Sequence, residues 1–215
     1  MTNKRDFKNA RYNGFAEVGK IFANAKRLEI IDVLIQRPRS VDEIANAIEQ
    51  SVASTSQHLQ VLKRARAVQT ERQGTTITYS LAEGTRDVFI AMRSLAESIN
   101  PSLQVLRQQH ASIPTITFEA VQEALNTGAA ILLDVRTAKE FANGHMDGAI
   151  NIPLDSLPTT DISQTKPLIV TCRGPYCVSS DEAARLLLER GFSVSRYDDG
   201  VGEWCSQGGT LCTHQ

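Results

Sequence analysis

The stretch VTCRGPYCVSSDE, residues 170–182, places two cysteines five positions apart, between an apolar run and a segment with a helical pattern. The apolar run predicts a buried strand, and Ser179 begins the helical pattern. Cys172 and Cys177 therefore lie in a loop at the carboxyl end of a strand, where open α/β sheets bind ligands. Backbone N–H groups and the helix dipole at that place favour thiolate over thiol.

The sequence around this loop alternates short apolar runs with helical patterns. The runs are AILLDV, PLIVT and SVSRY, and the helical segments are AKEFANG and SDEAARLLLERG. Such alternation predicts an α/β domain built on a parallel sheet.

Three segments of this half resemble a single rhodanese domain. They are ILLDVRTAKEFANGHMDGAINIPL, TCRGPYC and GFSVSRYDDGVGEW. The resemblance implies that Cys172 is the catalytic residue, whose thiolate attacks a sulfane sulfur and becomes a persulfide. The loop amides stabilise the persulfide, and its outer sulfur passes to an acceptor thiol. The active-site loop also contains Arg173, Gly174, Pro175 and Tyr176. We interpret the four residues that match the family's first signature as mainly structural: Asp134, Arg136, Glu140 and His145.

Cys177 occupies the sixth loop position, where many rhodaneses carry Arg or Lys. Its presence predicts poor thiosulfate turnover and suggests a resolving or sensing thiol. Two simpler alternatives stay open: Cys172 is a packed cysteine at a strand end, or Cys177 is a loop residue turned inward. Phosphatases and arsenate reductases on this fold bind an oxyanion in a longer loop that ends in Arg. Val178 stands at that position here, so an oxyanion-binding loop of that kind is not expected.

The first half carries a different set of signals. Helical periodicity predicts two amphipathic helices, one through Phe7 to Phe22 and one through Leu28 to Ile35, and Ser40 lies three residues before Glu43 in a capping-box arrangement. Ser51 is the predicted cap of a helix with Thr55, Leu59 and Leu62 on one face. Alternation on both sides of Gln73-Gly74 predicts a β-hairpin, and a further apolar helix precedes Asn100-Pro101, the start of a short one. Together these elements describe a mainly-α winged helix-turn-helix.

The segment from Ala25 to Leu81 resembles the ArsR/SmtB type of winged-helix repressors. The resemblance implies a homodimer on double-stranded operator DNA. Carried over residue by residue, Ser54, Ser56, Gln57 and His58 are expected to face the bases in the groove, Lys63 and Arg72 to contact the phosphates, and Gln60 to belong to the same DNA-binding set. A solvated helix face is the alternative for each of them singly, and His58 also suits a core or capping position.

The chain departs from this family in its metal ligands. All four cysteines, Cys172, Cys177, Cys205 and Cys212, lie in the last 44 residues, so the first half has no thiol. We expect no metal site, because the cysteine spacings lack the close pairs typical of zinc. Cys205 and Cys212 are expected to be incidental, and Asp198-Asp199-Gly200 to form a solvated turn. The sensor of such a repressor must then lie in the second half.

Length and charge fit two domains, which we place at residues 1–112 and 113–215. Residues 1–112 hold 16 Lys and Arg against 11 Asp and Glu, whereas residues 113–215 hold 7 against 13. No run approaches the ~18 apolar residues of a membrane span, and the N-terminus lacks a signal peptide's apolar core. A cytoplasmic protein without cofactor or membrane partner is expected.

These observations predict a dimeric repressor whose rhodanese-like domain senses sulfane sulfur, persulfide or an oxidant through Cys172 and Cys177. Its small-molecule partner is a sulfane-sulfur donor or an acceptor thiol. One alternative is a sulfurtransferase enzyme that uses the winged helix for dimerisation or autoregulation. Another is a repressor that binds arsenite or a soft metal directly through the two thiols.

Overall fold

A computed structural model describes residues 3–109, 113–162 and 165–213 of the chain. The chain divides into two compact units, Met1–Ala91 and Met92–Gln215. The division falls N-terminal to the expected domain boundary at 112/113. Residue 112 lies outside the described residues, so that boundary stays a prediction.

The first unit is a winged helix-turn-helix, as predicted. Its sheet has the order β1-β3-β2, and both strand pairs are antiparallel. The elements in chain order are α1 (Lys4–Phe22), α2 (Ala25–Gln36), β1 (Arg39–Ser40), α3 (Val41–Ala47), α4 (Val52–Arg64), β2 (Val68–Gln73), β3 (Thr76–Leu81) and α5 (Thr85–Ile99), which continues into the second unit.

Local signals place the helices of this unit. Ser40 accepts a hydrogen bond from the Glu43 N–H at 3.3 Å, and Glu43 accepts one from the Ser40 N–H at 3.0 Å, which completes the predicted capping box. Ser51 caps α4 through the Ser54 N–H at 3.2 Å. The face of α4 that carries Leu59 and Leu62 is buried, so the opposite face is left for solvent or a ligand.

Among the residues that the structure describes, none covers the apolar face of α1. Phe7, Phe15 and Val18 are 60%, 63% and 50% exposed. The expected amphipathic helix forms, but its apolar side faces outward. Exposed apolar patches of this kind mark interaction sites.

The second unit is an α/β domain with a four-stranded parallel sheet in the order β6-β4-β7-β8. A short antiparallel pair, β5 and β9, lies outside that sheet. The elements are α6 (Pro101–Gln109), α7 (Phe118–Thr127), β4 (Ile131–Asp134), α8 (Ala138–Asn143), β5 (His145–Met146), β6 (Ala149–Asn151), a 3-10 turn (Leu154–Ser156), β7 (Leu168–Thr171), α9 (Ser179–Glu189), β8 (Val194–Arg196), α10 (Val201–Ser206) and β9 (Leu211–Cys212).

Both faces of the parallel sheet are buried. Leu133 and Val170 point to a cluster that includes Leu187 of α9, and their neighbours Leu132 and Ile169 point to a second cluster on the other face. Burial on both faces is the reason that these strands read as continuous apolar runs. The sheet therefore holds the end of β7, where Cys172 begins the loop, in a fixed position.

Within the described ranges, no helix is long and apolar enough to cross a membrane.

Candidate functional site

The loop after β7 lies where the sequence predicts it, between a central strand of the parallel sheet and the first turn of α9. Cys172 is 2% exposed, while Cys177 is half-buried. Gly174 has φ +146°, a conformation that side chains rarely adopt, so the tight curl of the loop requires glycine. The Gly174 carbonyl accepts a hydrogen bond from the Cys177 N–H at 3.0 Å, which closes the curl.

The two loop cysteines form one thiol pair in which each shifts the pKa of the other. The hydrogen bond to Cys177, together with burial, raises the pKa of Cys172 well above its ordinary value. The same hydrogen bond, aided by contacts with Arg173 and Ser179, lowers the pKa of Cys177 to about 5 despite its burial. These opposite directions favour the negative charge on the Cys177 sulfur over the buried Cys172 sulfur.

The sequence places Cys177 two residues before the first residue of α9. Val178, the residue before α9, makes no side-chain capping hydrogen bond. The backbone and side chain of Ser179, at the helix start, help to lower the pKa of Cys177. Unpaired N–H groups at a helix start favour an anion, which is the physical reason for a thiolate at this position.

The guanidinium group of Arg173 lies near the Cys177 sulfur. Its Nη1 lies 4.0 Å from Cys177 Sγ, and its Nε and Nη2 donate to the two carboxylate oxygens of Glu140 at 2.8 and 2.9 Å. Glu140 is 1% exposed and is also the capping-box partner of Thr137 at the start of α8. The sequence indicates a structural role for Glu140, and the structure adds a contact between Glu140 and the thiol loop. The sequence separation of 33 residues hides this contact from local patterns.

The other signature residues form contacts with one another and with the segment after β4. Arg136 pairs with Asp134 at 2.6 Å inside the domain and donates to the Gly144 carbonyl at 2.9 Å. His145 Nδ1 contacts the Phe141 carbonyl at 2.9 Å. These buried contacts fix the segment after β4.

The remaining loop residues lie nearer the surface. The Tyr176 side chain is 47% exposed, and its hydroxyl donates to Glu97 at 3.0 Å within the second unit. Pro175, Tyr176, Cys177 and Val178 line a cavity of about 150 Å³. The loop therefore presents Cys177 to a space that a small molecule can enter.

The interpretation of Asp198-Asp199-Gly200 as a solvated turn is wrong for two of its residues. The Asp198 side chain is 14% exposed and forms an ion pair with Arg196, because the chain turns back over the end of β8. A Cβ on Gly200 would collide with the Arg173 carbonyl. The turn thus packs directly on the thiol loop.

Cys205 and Cys212 take no part in the thiol pair. The thiol of Cys212 donates to Asp147 at 3.3 Å, at the edge of the β5 and β9 pair. Among the described residues, no cluster of three or more His, Cys, Asp or Glu side chains is arranged to hold a metal ion.

The winged-helix unit places three of the expected DNA-binding residues around one groove. Gln60, Lys63 and Arg72 line a space of about 520 Å³ between α4 and the hairpin. Arg64 lines the same groove and is missing from the sequence-based set, although its neighbour Lys63 belongs to it. Arg72 Nε also donates to the Gly74 carbonyl at 3.0 Å, which holds its side chain at the hairpin tip. The groove is therefore basic.

The structure does not bring the other four expected residues into this groove. Gln57 is exposed, whereas Ser54, Ser56 and His58 are half-buried. At about 100° per residue, Ser54 and His58 lie on the side of α4 opposite to Lys63. Their role in DNA binding stays a prediction.

Comparison with known proteins identifies both halves separately. A model of rhodanese-like domains matches residues 117–207, and a model of bacterial regulatory proteins of the arsR family matches residues 24–70. The HTH-type transcriptional regulator Rv0324 of Mycobacterium tuberculosis is 34% identical over 209 residues, which are 95% of this chain and 92% of that protein. Thiosulfate sulfurtransferase GlpE of Stutzerimonas stutzeri is 37% identical over 86 residues, 38% of this chain and 75% of that protein.

Among solved structures, the homodimeric winged helix-turn-helix DNA-binding domain Mb0332 from Mycobacterium bovis is 35% identical. The match covers 45% of this chain and 91% of the Mycobacterium bovis chain, with a TM-score of 0.42.

Proposed function

Because this chain belongs to the arsR family of bacterial transcriptional regulators and carries a rhodanese-like domain, we propose that it is a repressor that senses sulfane sulfur. Persulfides are the proposed signal. The alternative signal is an oxidant that reacts with the same two thiols. The observation that carries the proposal is the placement of Cys172 and Cys177 in one tightly curled loop between β7 and α9, which the hydrogen bond from the Cys177 N–H to the Gly174 carbonyl closes. A sensor needs a sulfur that reacts with the signal and a second group that changes the structure after the reaction. This pair supplies both.

The proposed chemistry starts with Cys172, to which the resemblance assigns the attack. Its proton is already hydrogen-bonded to the Cys177 sulfur, so Cys177 accepts that proton as Cys172 attacks the outer sulfur of a persulfide. The donor's S–S bond breaks, and its electron pair leaves with the donor thiolate, which then takes the proton from Cys177. Cys172 now carries the persulfide.

The second step converts the persulfide into a disulfide between the two cysteines. The Cys177 thiolate attacks the inner sulfur of the Cys172 persulfide, a disulfide forms, and hydrosulfide leaves. The two thiols are oxidised, and the transferred sulfur is reduced. The bridge removes the negative charge near the start of α9 and changes the loop that packs on Gly200. We propose that this rearrangement lowers the affinity for operator DNA.

The proposal includes a homodimer on double-stranded DNA. The uncovered face of α1, with Phe7, Phe15 and Val18, supplies apolar surface for a second copy. The basic groove between α4 and the hairpin supplies the phosphate contacts. One winged helix makes few base contacts, so two copies are needed for useful specificity.

A sulfurtransferase is the second candidate function, favoured by the similarity to a thiosulfate sulfurtransferase over 86 residues. Two features of the loop argue against thiosulfate as its donor. Cys177 occupies the position where a cation would attract that anion, and Arg173 is held by Glu140. A third candidate function is a direct response to arsenite or a soft metal. The two loop thiols are the one feature that supports it.

The proposal is tested by measuring DNA release from the full chain. A persulfide donor, hydrogen peroxide and arsenite are each added to the protein bound to a duplex from its own promoter, and release is followed by fluorescence anisotropy. We expect release by the persulfide from the wild type, continued binding by Cys172→Ser, and a weak response by Cys177→Ser, which accumulates a persulfide.

Three outcomes would contradict parts of this scheme. Full release from Cys177→Ser would leave a single-cysteine sensor. Sulfur addition to Cys172→Ser as complete as in the wild type would remove Cys172 from the first step. Sulfur uptake and turnover with no effect on DNA binding would favour the enzyme.

A further inference from the structure

The carboxyl-terminal half of α5 contacts the thiol loop from outside the segment that matches the rhodanese model. Within the second unit, the Tyr176 hydroxyl donates to Glu97 Oε1 at 3.0 Å, and Tyr176 immediately precedes Cys177. The rhodanese model matches residues 117–207, so α5 lies before the matched segment. The contact is therefore a feature of this chain that its resemblance to rhodaneses does not imply.

A second contact connects the same helix to the opposite side of the loop. Arg93, one turn before Glu97, pairs with Glu203 of α10, and its Nε lies 3.9 Å from Glu97 Oε1. Glu203 Oε2 accepts a hydrogen bond from the Gly200 N–H at 2.9 Å and lies 3.7 Å from the position of a Cβ on Gly174. The helix is thus connected to the thiol loop at two points.

The charged side chains of this connection are largely buried. Those of Arg93, Glu97 and Glu203 are 14%, 16% and 10% exposed. Buried charges are screened little by salt, and a charge that loses its partner there stays desolvated without compensation. The connection therefore favours one arrangement of the loop and the carboxyl-terminal half of α5 over others.

The proposed bridge between the loop cysteines changes the residue that Glu97 holds. A disulfide brings its two sulfur atoms to about 2 Å, closer than free thiols approach each other. The bond closes a ring around the residues between Cys172 and Cys177, and Tyr176 is the last of them. When Tyr176 is displaced, either its hydrogen bond to Glu97 breaks or α5 moves with it.

We propose that Glu97 and Arg93 are positioning residues that couple the state of the two thiols to α5. The inference rests on the proposed function and names the route of its signal. α5 is one continuous helix from Thr85 to Ile99, and its residues up to Ala91 belong to the winged-helix unit. A shift at the carboxyl-terminal half is therefore carried along a single rigid element into the DNA-binding unit.

Coupling of this kind is reciprocal at equilibrium. If the bridge lowers the affinity for operator DNA by some factor, bound operator DNA must disfavour the bridge by the same factor. Both sides are measured on the full chain in a buffer of oxidised and reduced glutathione. As the two protein thiols are oxidised to the bridge, one glutathione disulfide is reduced to two glutathione thiols.

The fraction of bridged protein is measured by alkylation and intact-protein mass spectrometry, with and without a saturating duplex from the chain's own promoter. We expect the duplex to lower the equilibrium constant for the bridge about tenfold in the wild type. The affinity of the bridged protein for the duplex, measured by fluorescence anisotropy, should be lower by the same factor.

Variants of α5 assign this factor to the connection. Glu97→Ala removes the acceptor of the Tyr176 hydroxyl and should bring the factor close to one, while sulfur addition at Cys172 continues. Glu97→Gln keeps an acceptor but loses the charge that faces Arg93, so it should give an intermediate factor.

Asp87→Asn is the matched control on the same helix. Asp87 pairs with Arg86 within the first unit, and its side chain is 63% exposed. This variant also removes a carboxylate from an ion pair of α5, and it should keep the full factor.

A double variant distinguishes coupling from a general loss of stability. Tyr176→Phe keeps the ring and removes only the hydroxyl, so it should reduce the factor and remain folded. Tyr176→Phe combined with Glu97→Ala should reduce the factor no further than Glu97→Ala alone, because both changes remove the same hydrogen bond.

The outcomes separate this inference from the function on which it rests. If the bridge does not form in the wild type, or forms without any effect on DNA affinity, the proposed function fails. If the wild type shows the factor and Glu97→Ala and Tyr176→Phe retain it, or if Asp87→Asn loses as much of it, the coupling through α5 is wrong and the sensor remains.

Discussion

At the scale of single residues, the thiol pair makes a prediction about pH. The pKa of Cys177 is lowered to about 5, so this thiol carries its charge at any pH above that value. Iodoacetamide should therefore label Cys177 with a rate that rises near pH 5 and is level at neutral pH. Peptide mass spectrometry between about pH 4 and pH 9 measures this profile.

Cys212 is the internal reference for this experiment. Its hydrogen bond to Asp147 raises its pKa, so its labelling should rise only in alkaline solution. Labelling of Cys172 before Cys177 would show that the charge lies on the buried sulfur instead.

The basic groove predicts how single side chains contribute to DNA binding. Lys63→Ala and Arg72→Ala should each weaken binding to all duplexes and lower the slope of log affinity against log salt by about one. Gln57→Ala should instead reduce the preference for the operator over random DNA. Binding titrations at several salt concentrations separate the two effects.

Arg86→Ala is the control for the salt slope, since Arg86 is an exposed cation on α5 that pairs with Asp87 and does not line the groove. Equal losses on operator and random DNA from Gln57→Ala would refute its assignment to base contacts.

At the scale of elements, the contact between the thiol loop and the start of α10 depends on Gly200. A Cβ there would meet the backbone carbonyl of Arg173, and backbone cannot move aside as a flexible side chain can. Gly200→Ala should therefore lower the free energy of unfolding by about 1–3 kcal/mol and slow sulfur addition to the loop. Urea denaturation and mass spectrometry measure the two effects.

Gly14→Ala is the matched glycine substitution. Gly14 lies in α1 with no other atom within 4 Å of the added Cβ, so alanine should be neutral or stabilising by about 0.5–1 kcal/mol. Similar losses of stability in the two variants would contradict the steric argument.

At the scale of the whole molecule, the uncovered face of α1 predicts a dimer. Phe15 is 63% exposed, and its burial against a second copy would contribute about 1.5–3 kcal/mol. Phe15→Asp should therefore give monomers by light scattering and weaken operator binding. A wild-type footprint should cover two half-sites about 34 Å apart.

Asn9→Asp introduces the same charge at another exposed position of α1 and should leave the dimer intact. A monomeric wild type, or a footprint over one half-site, would exclude this arrangement.

Short-range patterns in the sequence predicted much of this fold. The capping box of Ser40 and Glu43, the hairpin and the strand-loop-helix around Cys172 each form between residues that lie close along the chain. Local hydrogen bonding and hydrophobic periodicity are sufficient to specify such elements. The two-domain class and the thiol loop therefore follow from the sequence alone.

The tertiary structure decided what surrounds the thiols. Glu140 reaches Arg173 across 33 positions, and Asp198 turns onto Arg196 instead of pointing to solvent. These ion pairs depend on how the parallel sheet aligns the ends of its strands, which no local pattern encodes. The difference between the two thiols depends on the fold in the same way, because only the folded chain buries Cys172 while it leaves Cys177 half-buried near Arg173, and these surroundings favour the negative charge on Cys177.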